Sequence, residues 1–171
     1  MSEIKLFSGL MIVVRHAKHD LVDGTLTVEG MKQSSLLAGV IISLLAESRL
    51  TNDNVQVMCG PSPRTDQTAT IIAEGLSLPT VYKLPDLSCS RYHESSPKLE
   101  DVNPFMGVLK ALRPNTRGIV VVSHDEIMED VAYAHETRDI NALNSKPPHD
   151  NASGYFIDLN GVRRNISYTS I

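Results

Sequence analysis

At 171 residues with 42% apolar side chains, the chain has the length and content of one globular domain, residues 1–171. Sixteen lysines and arginines against twenty acidic residues leave a formal charge of −4, which argues against a polyanion-wrapping protein but leaves room for a local basic pocket. Clean apolar runs such as Leu10 to Val14 are too short to span a bilayer, and no secretory h-region precedes a cleavage site. The expectation is therefore a soluble, cytoplasmic domain with no nucleic-acid and no membrane partner.

The elements alternate. Met11-Ile12-Val13-Val14 is a short apolar run rich in β-branched residues, as a strand buried on both faces requires. A helix is expected from Thr27, its N-cap, to about Glu47, with Leu37, Ile41, Leu44 and Leu45 on one face. Val55 to Met58 reads as a second strand, followed by the turn Gly60-Pro61-Ser62-Pro63 and a helix from Arg64 to about Glu74 that Gly75 should stop. Thr80-Val81-Tyr82 is a weaker strand, and Leu84 to Pro104 is polar and proline-punctuated. Phe105 to Leu112 is a short helix closed by Pro114. Gly118 to Val122 is the clearest strand, with a helix from Asp125 to about Glu136 behind it. Thr137 to Ser153 is a long polar loop, of a length that often lines a functional site. Tyr155 to Leu159 and Val162 to Tyr168 read as a hairpin joined by an Asn160-Gly161 turn. Such alternation predicts an α/β fold of three α/β/α layers, mostly parallel, with a C-terminal antiparallel hairpin.

Ligands of open α/β sheets sit beyond the carboxyl ends of the strands. Arg15-His16-Ala17-Lys18-His19 follows the first strand, Cys59-Gly60-Pro61-Ser62-Pro63-Arg64 the second, and Ser123-His124-Asp125 the fourth. Two arginines and at least two histidines leave one sheet edge, which core packing does not ask for. The set suits a phosphoryl group. Guanidinium forks match phosphate oxygens, helix-start amides favour an anion, and a neutral imidazole can attack phosphorus while a second one stabilises developing charge.

These blocks, together with Leu26-Thr27-Val28-Glu29-Gly30-Met31-Lys32-Gln33 and Ser62-Pro63-Arg64-Thr65-Asp66-Gln67-Thr68-Ala69, resemble the histidine phosphatase superfamily, of phosphoglycerate mutase-like fold. The likeness runs in order from about residue 11 to 159, and Arg15-His16-Ala17-Lys18 in a short chain looks most like the small SixA-type phosphohistidine phosphatases. The resemblance implies a metal-independent, cofactor-free phosphatase acting on a phosphorylated small molecule or phosphoprotein. It implies His16 as the phosphorylated nucleophile, Arg15 and Arg64 as the phosphoryl clamp, and His124 as the residue completing the pocket.

The mutase and small-phosphatase branches carry a Glu proton donor after the third strand, where this chain has Cys89. The acid phosphatase branch uses the Asp after the second histidine, so Asp125 is the preferred acid, with Asp86 and Glu94 as fallbacks. Asp125 reads equally as an N-cap. Lys18 and His19 are both open to two readings, contact with substrate or solvated loop residue, with Lys18 taken as the substrate-binding candidate; His93, His135 and His149 have no nameable partner. A phosphoglycerate-type mutase and an idle phospholigand-binding module are the alternatives, the second motivated by Cys89. A cysteine-dependent phosphatase loop is disfavoured, because Cys59 and Arg64 are one residue too close and two prolines between them lack the inward amides such a loop needs.

Overall fold

The computed structural model describes residues 7–88, 103–137 and 150–169. The apolar run at the start forms β1 (Leu10–Arg15) and lies at the middle of a six-stranded sheet. The other strands are β2 (Val55–Cys59), β3 (Val81–Lys83), β4 (Gly118–Ser123), β5 (Ser153–Ile157) and β6 (Arg163–Ser167), in the order β3-β2-β4-β1-β5-β6. The first four strands are parallel, whereas β5 runs antiparallel to β1 and β6 antiparallel to β5. The helices are α1 (Val28–Glu47), α2 (Pro63–Gly75), α3 (Pro104–Lys110) and α4 (Asp125–Thr137).

Strand alternation splits the core into two layers. Leu10, Ile12 and Val14 face one cluster with Leu37, Ile41 and Leu45 of α1 and Ala69 and Ile72 of α2. Met11 and Val13 face the other, with Phe105 and Val108 of α3 and Ile127, Met128 and Val131 of α4. Each such side chain contributes roughly 1.5–3 kcal/mol by leaving water, which is why the central strands read as unbroken apolar runs. Among the described residues α1 is long and apolar enough by composition to cross a membrane, but its Leu37–Ile41–Leu45 face is core packing. The expected α/β/α layers and terminal hairpin are present.

Local chemistry explains where the observed boundaries differ from expectation. Thr27 caps α1 as expected, its hydroxyl accepting from Gly30 N at 3.0 Å. Gly75 does not stop α2. It is the last residue of the helix and lies where a Cβ would sit 3.1 Å from the Ala38 side chain, so the glycine serves the α1–α2 approach. The left-handed stop falls on Ser77 (φ 55°), closed by Ser77 N to Glu74 O and Leu78 N to Ala73 O. Asn103 starts α3 one residue earlier than expected by accepting from Phe105 N and Met106 N. The hairpin turn is also longer than a two-residue Asn-Gly turn. Asp158 N donates to Val162 O, Gly161 alone has positive φ (79°), and the Asp158 carboxylate accepts from Asn160 N and Val162 N. Arg163 ties this hairpin to α4 through a forked pair with Glu136, both contacts 2.6 Å. Of the polar stretches, 85–87 form a 3-10 turn, while Cys89, His93, Glu94 and the Lys146-Pro147-Pro148 segment lie outside the described residues.

Candidate active site

Register brings the two histidines together. Arg15 at the end of β1 is level with Ser123 at the end of β4, so the following residues, His16 and His124, leave the sheet side by side. His16 N donates to Ser123 O at 3.0 Å, and the two imidazole centroids are 5.0 Å apart. The β1–β4 boundary is also where chain connections diverge: β1 leads to α1 on one face, and β4 leads to α4 on the other. This is the crevice where open α/β sheets bind ligands.

Arg64 arrives from the neighbouring strand. β2 ends beside β4, the chain turns through Ser62, and Pro63 opens α2 with its fixed φ. Arg64 is thus in the first turn of the helix, and its Nε donates to His16 Nε2 at 3.2 Å. The other ring nitrogen, Nδ1, donates to Ala17 O at 2.9 Å. Together these bonds set the tautomer: Nδ1 carries the proton and Nε2 holds a free lone pair facing a guanidinium.

Burial drives the electrostatics. It pushes His16 down to about 3, helped by His124, Arg64 and His19 and opposed by the Ala17 hydrogen bond. Burial likewise pushes His124 down to about 4, with Arg64, Arg15 and His19 adding to it. Both rings are neutral at physiological pH. Because the unfolded chain binds these protons near pH 6.5 and the folded one only near 3 and 4, their stabilising effect is complete above about 6.5 and is lost as pH falls. Between pH 7 and 4.5 each imidazole should cost about 2–3 kcal/mol of stability. Calorimetry should accordingly find a falling Tm over that range, flattened in a His16→Gln/His124→Gln double variant.

Asp125 was a candidate N-cap; instead it is the first residue of α4, and His124 O accepts the first-turn bond from Met128 N at 2.8 Å. Its carboxylate meets Arg15, with Nη1 to Oδ2 3.3 Å. The structure therefore gathers His16, Arg15, Arg64, His124 and Asp125 into one group. Lys18 is placed differently: its ammonium is paired with Glu29 of α1 at the surface, while its backbone bonds to Gln33 and Thr27. The Asp86 carboxyl lies against Gly107 of α3. His135 is buried between the rings of Phe7 and Phe105, at 5.8 and 6.2 Å. Cys59 packs in the α1–α2 core, where burial pushes its thiol up to about 12, so it is no thiolate nucleophile.

Sequence reasoning missed the residues that hold the His16 loop. The Thr68 hydroxyl accepts from Ala17 N at 3.1 Å and donates to Arg64 O at 2.8 Å, tying the segment next to His16 to the helix carrying Arg64. Gln33 accepts from Lys18 N at 3.0 Å and Gln67 from Leu26 N at 2.6 Å. Gly30 lets α1 lie on this loop, because a Cβ there would fall 1.9 Å from Lys18 O. Ser62 Oγ is 2.9 Å from Thr65 Oγ1 and 3.5 Å from His124 Nε2. The signal was present, since Gln67 and Thr68 lie inside the block quoted for its resemblance, but nothing in their spacing states a role. A Thr68→Val variant keeps the shape and leaves the buried Ala17 amide unpaired, which should cost about 1–3 kcal/mol in denaturant unfolding, while Thr68→Ser stays near wild type.

No protein-family model and no curated protein matches the sequence. Solved structures do match in fold. One is a mycobacterial hydrolase (TM-score 0.61, 16% identity, covering 92% of this chain and 96% of that one). Another is the protein histidine phosphatase SixA complexed with tungstate (TM-score 0.60, 22% identity, 93% and 97%). A third is mycobacterial glucosyl-3-phosphoglycerate phosphatase (TM-score 0.59, 16% identity, 93% and 97%). With near-complete coverage in both directions and a mixed six-stranded sheet with four helices, the chain has the phosphoglycerate mutase-like α/β fold of these structures.

Proposed function

We propose that this protein is a metal-independent phosphatase that hydrolyses a phosphomonoester or phosphohistidine through a phospho-His16 intermediate, in the cytoplasm. The observation that carries the reading is the His16 Nε2 lone pair held against Arg64, with a second neutral imidazole 5.0 Å away. The similar folds named as phosphatases, one holding tungstate, support it.

The incoming phosphoryl dianion takes the Arg64 guanidinium from Nε2 and the Arg15 guanidinium from Asp125, which frees the nucleophile and lets the released Asp125 carboxylate take up a proton from solvent. Nε2 then attacks phosphorus in line. The P–O or P–N bond breaks with its electron pair on the leaving atom, and that atom takes the proton of the Asp125 carboxyl. Arg15, Arg64 and His124 hold the three nonbridging oxygens as charge shifts among them. In the second step water attacks phosphorus, the P–Nε2 bond breaks, and the Asp125 carboxylate recovers a proton from the water. Cleavage requires neutral His16, available above about pH 3–4, and protonated Asp125, so the rate profile should be bell-shaped and displaced to acid.

The test is a substrate panel of p-nitrophenyl phosphate, an alkyl phosphate and a phosphohistidine protein. Trapped phosphoenzyme should be acid-labile and alkali-stable. Asp125→Asn should slow the alkyl ester about 10²–10⁴-fold and phosphohistidine far less, because the nitrogen leaves more readily. Tight oxyanion binding without turnover of any substrate would overturn the reading in favour of a phospholigand-binding module.

A further inference from the structure

We propose that His19 is a third phosphoryl-binding imidazole, donating a ring N–H to an oxygen of the bound phosphoryl group and adding positive charge to the pocket as pH falls. This rests on the phosphoryl site read above and adds to it a residue that the sequence left between substrate contact and solvated loop.

Placement comes first. The His19 ring stands edge-on to the His16 ring, centroids 4.9 Å apart at 86°, so the nucleophile is flanked by His124 on one side and His19 on another. An exposed loop histidine would ordinarily wander, but this loop is pinned along its length. His19 bridges Leu26, Asp20 N donates to Thr25 O, and Thr27 N donates to Lys18 O. Gln33 and Gln67 hold Lys18 and Leu26 from the two helices beneath. Fixing a ring costs side-chain entropy, and here the fixed position is beside the reacting atom.

The surroundings point to an anion. The groups facing His19 are His16 on its own loop, Arg15 on β1, Arg64 on α2, His124 on β4 and Asp20 next in the chain; Asp125 lies behind Arg15. Burial and then the two guanidinium charges lower its basicity, and Asp20 alone raises it. Two cations and a third ring that gains a proton beside them form a cradle waiting for negative charge. A bound dianion reverses the sign of that field and favours the imidazolium. His16 and His124 are nearly fully buried, whereas His19 is part exposed, so it can exchange protons with solvent at the mouth.

The rival role is a passive aromatic wall against His16, and two variants separate it. His19→Phe keeps a ring and removes the donor; His19→Gln keeps a donor and removes the charge change. The probe is sulfate, which stays a dianion across this pH range, titrated calorimetrically against the intact protein from pH 5 to 8. Wild type should bind about tenfold more tightly at pH 5.5 than at 7.5. His19→Phe should lose about 5–20-fold at every pH, and His19→Gln should lose most of the gain at low pH. Any pH dependence carried by other groups persists in both variants, so the difference belongs to His19. Variants matching wild type in affinity and pH slope would overturn the proposal. A wild type that binds sulfate yet hydrolyses nothing would overturn the phosphatase reading and leave the His19 comparison intact, while a wild type that binds no sulfate would overturn both.

Discussion

His16→Ala should abolish turnover, with a loss of at least about 10⁴-fold in kcat for every substrate, because it removes the imidazole whose Nε2 faces the Arg64 guanidinium. The expected loss is chemical and not structural. His16 is buried with a single backbone acceptor, Ala17 O, and an Arg64 donor, and its neutral ring is a liability in acid. The variant should therefore fold, keep part of its affinity for oxyanions through Arg15, Arg64 and His124, and melt less steeply with falling pH than wild type. Three readouts decide the matter: turnover, the phosphoenzyme, and Tm between pH 7 and 4.5. Full turnover in His16→Ala, or a phosphoenzyme still formed by it, would sink the covalent mechanism.

Arg64→Ala should lose about 10²–10⁴-fold in kcat/KM, spread over both kcat and KM. One side chain does two things here. Its Nε fixes the His16 ring in the resting site by donating to Nε2, and once a phosphoryl group draws it away its guanidinium is, with Arg15, one of the two among the described residues of this site that grip the oxygens. Arg64→Lys should recover little, since a point charge on a flexible stem reproduces neither the fork nor the Nε contact. The charge also has a titration consequence. Arg64 lowers the basicity of His16 and His124, so its removal raises both, and the acid limb of the pH–rate profile should move to higher pH. An unmoved limb, or a lysine variant as fast as wild type, would show that Arg64 is a helix-surface residue after all.

The architecture was legible because the signals were local and redundant. A strand buried on both faces carries few polar residues, so Met11 to Val14 and Gly118 to Val122 announced themselves by composition. Thr27 was legible as a cap because its own hydroxyl satisfies Gly30 N. Element ends were less legible where a neighbour, and not the residue itself, set them. Gly75 looked like a stop but answers to Ala38 across a helix interface, and the Asn160-Gly161 pair looked like a two-residue turn until the Asp158 carboxylate supplied a longer one.

The chain of amino acids by itself determined the fold class and the sheet edge at which His16, Arg15, Arg64, His124 and Asp125 gather, because each follows a strand or opens a helix in a readable pattern. Only the tertiary structure decided which nitrogen of His16 is free, that Asp125 faces Arg15 instead of capping its helix, that Lys18 turns out to Glu29, and that His19 turns in. The reason is physical. Strand and helix formation depend on residues a few positions apart, whereas a tautomer, an ion pair or a ring contact depends on partners up to a hundred and more positions away, whose approach is set by packing and by the β1–β4 register.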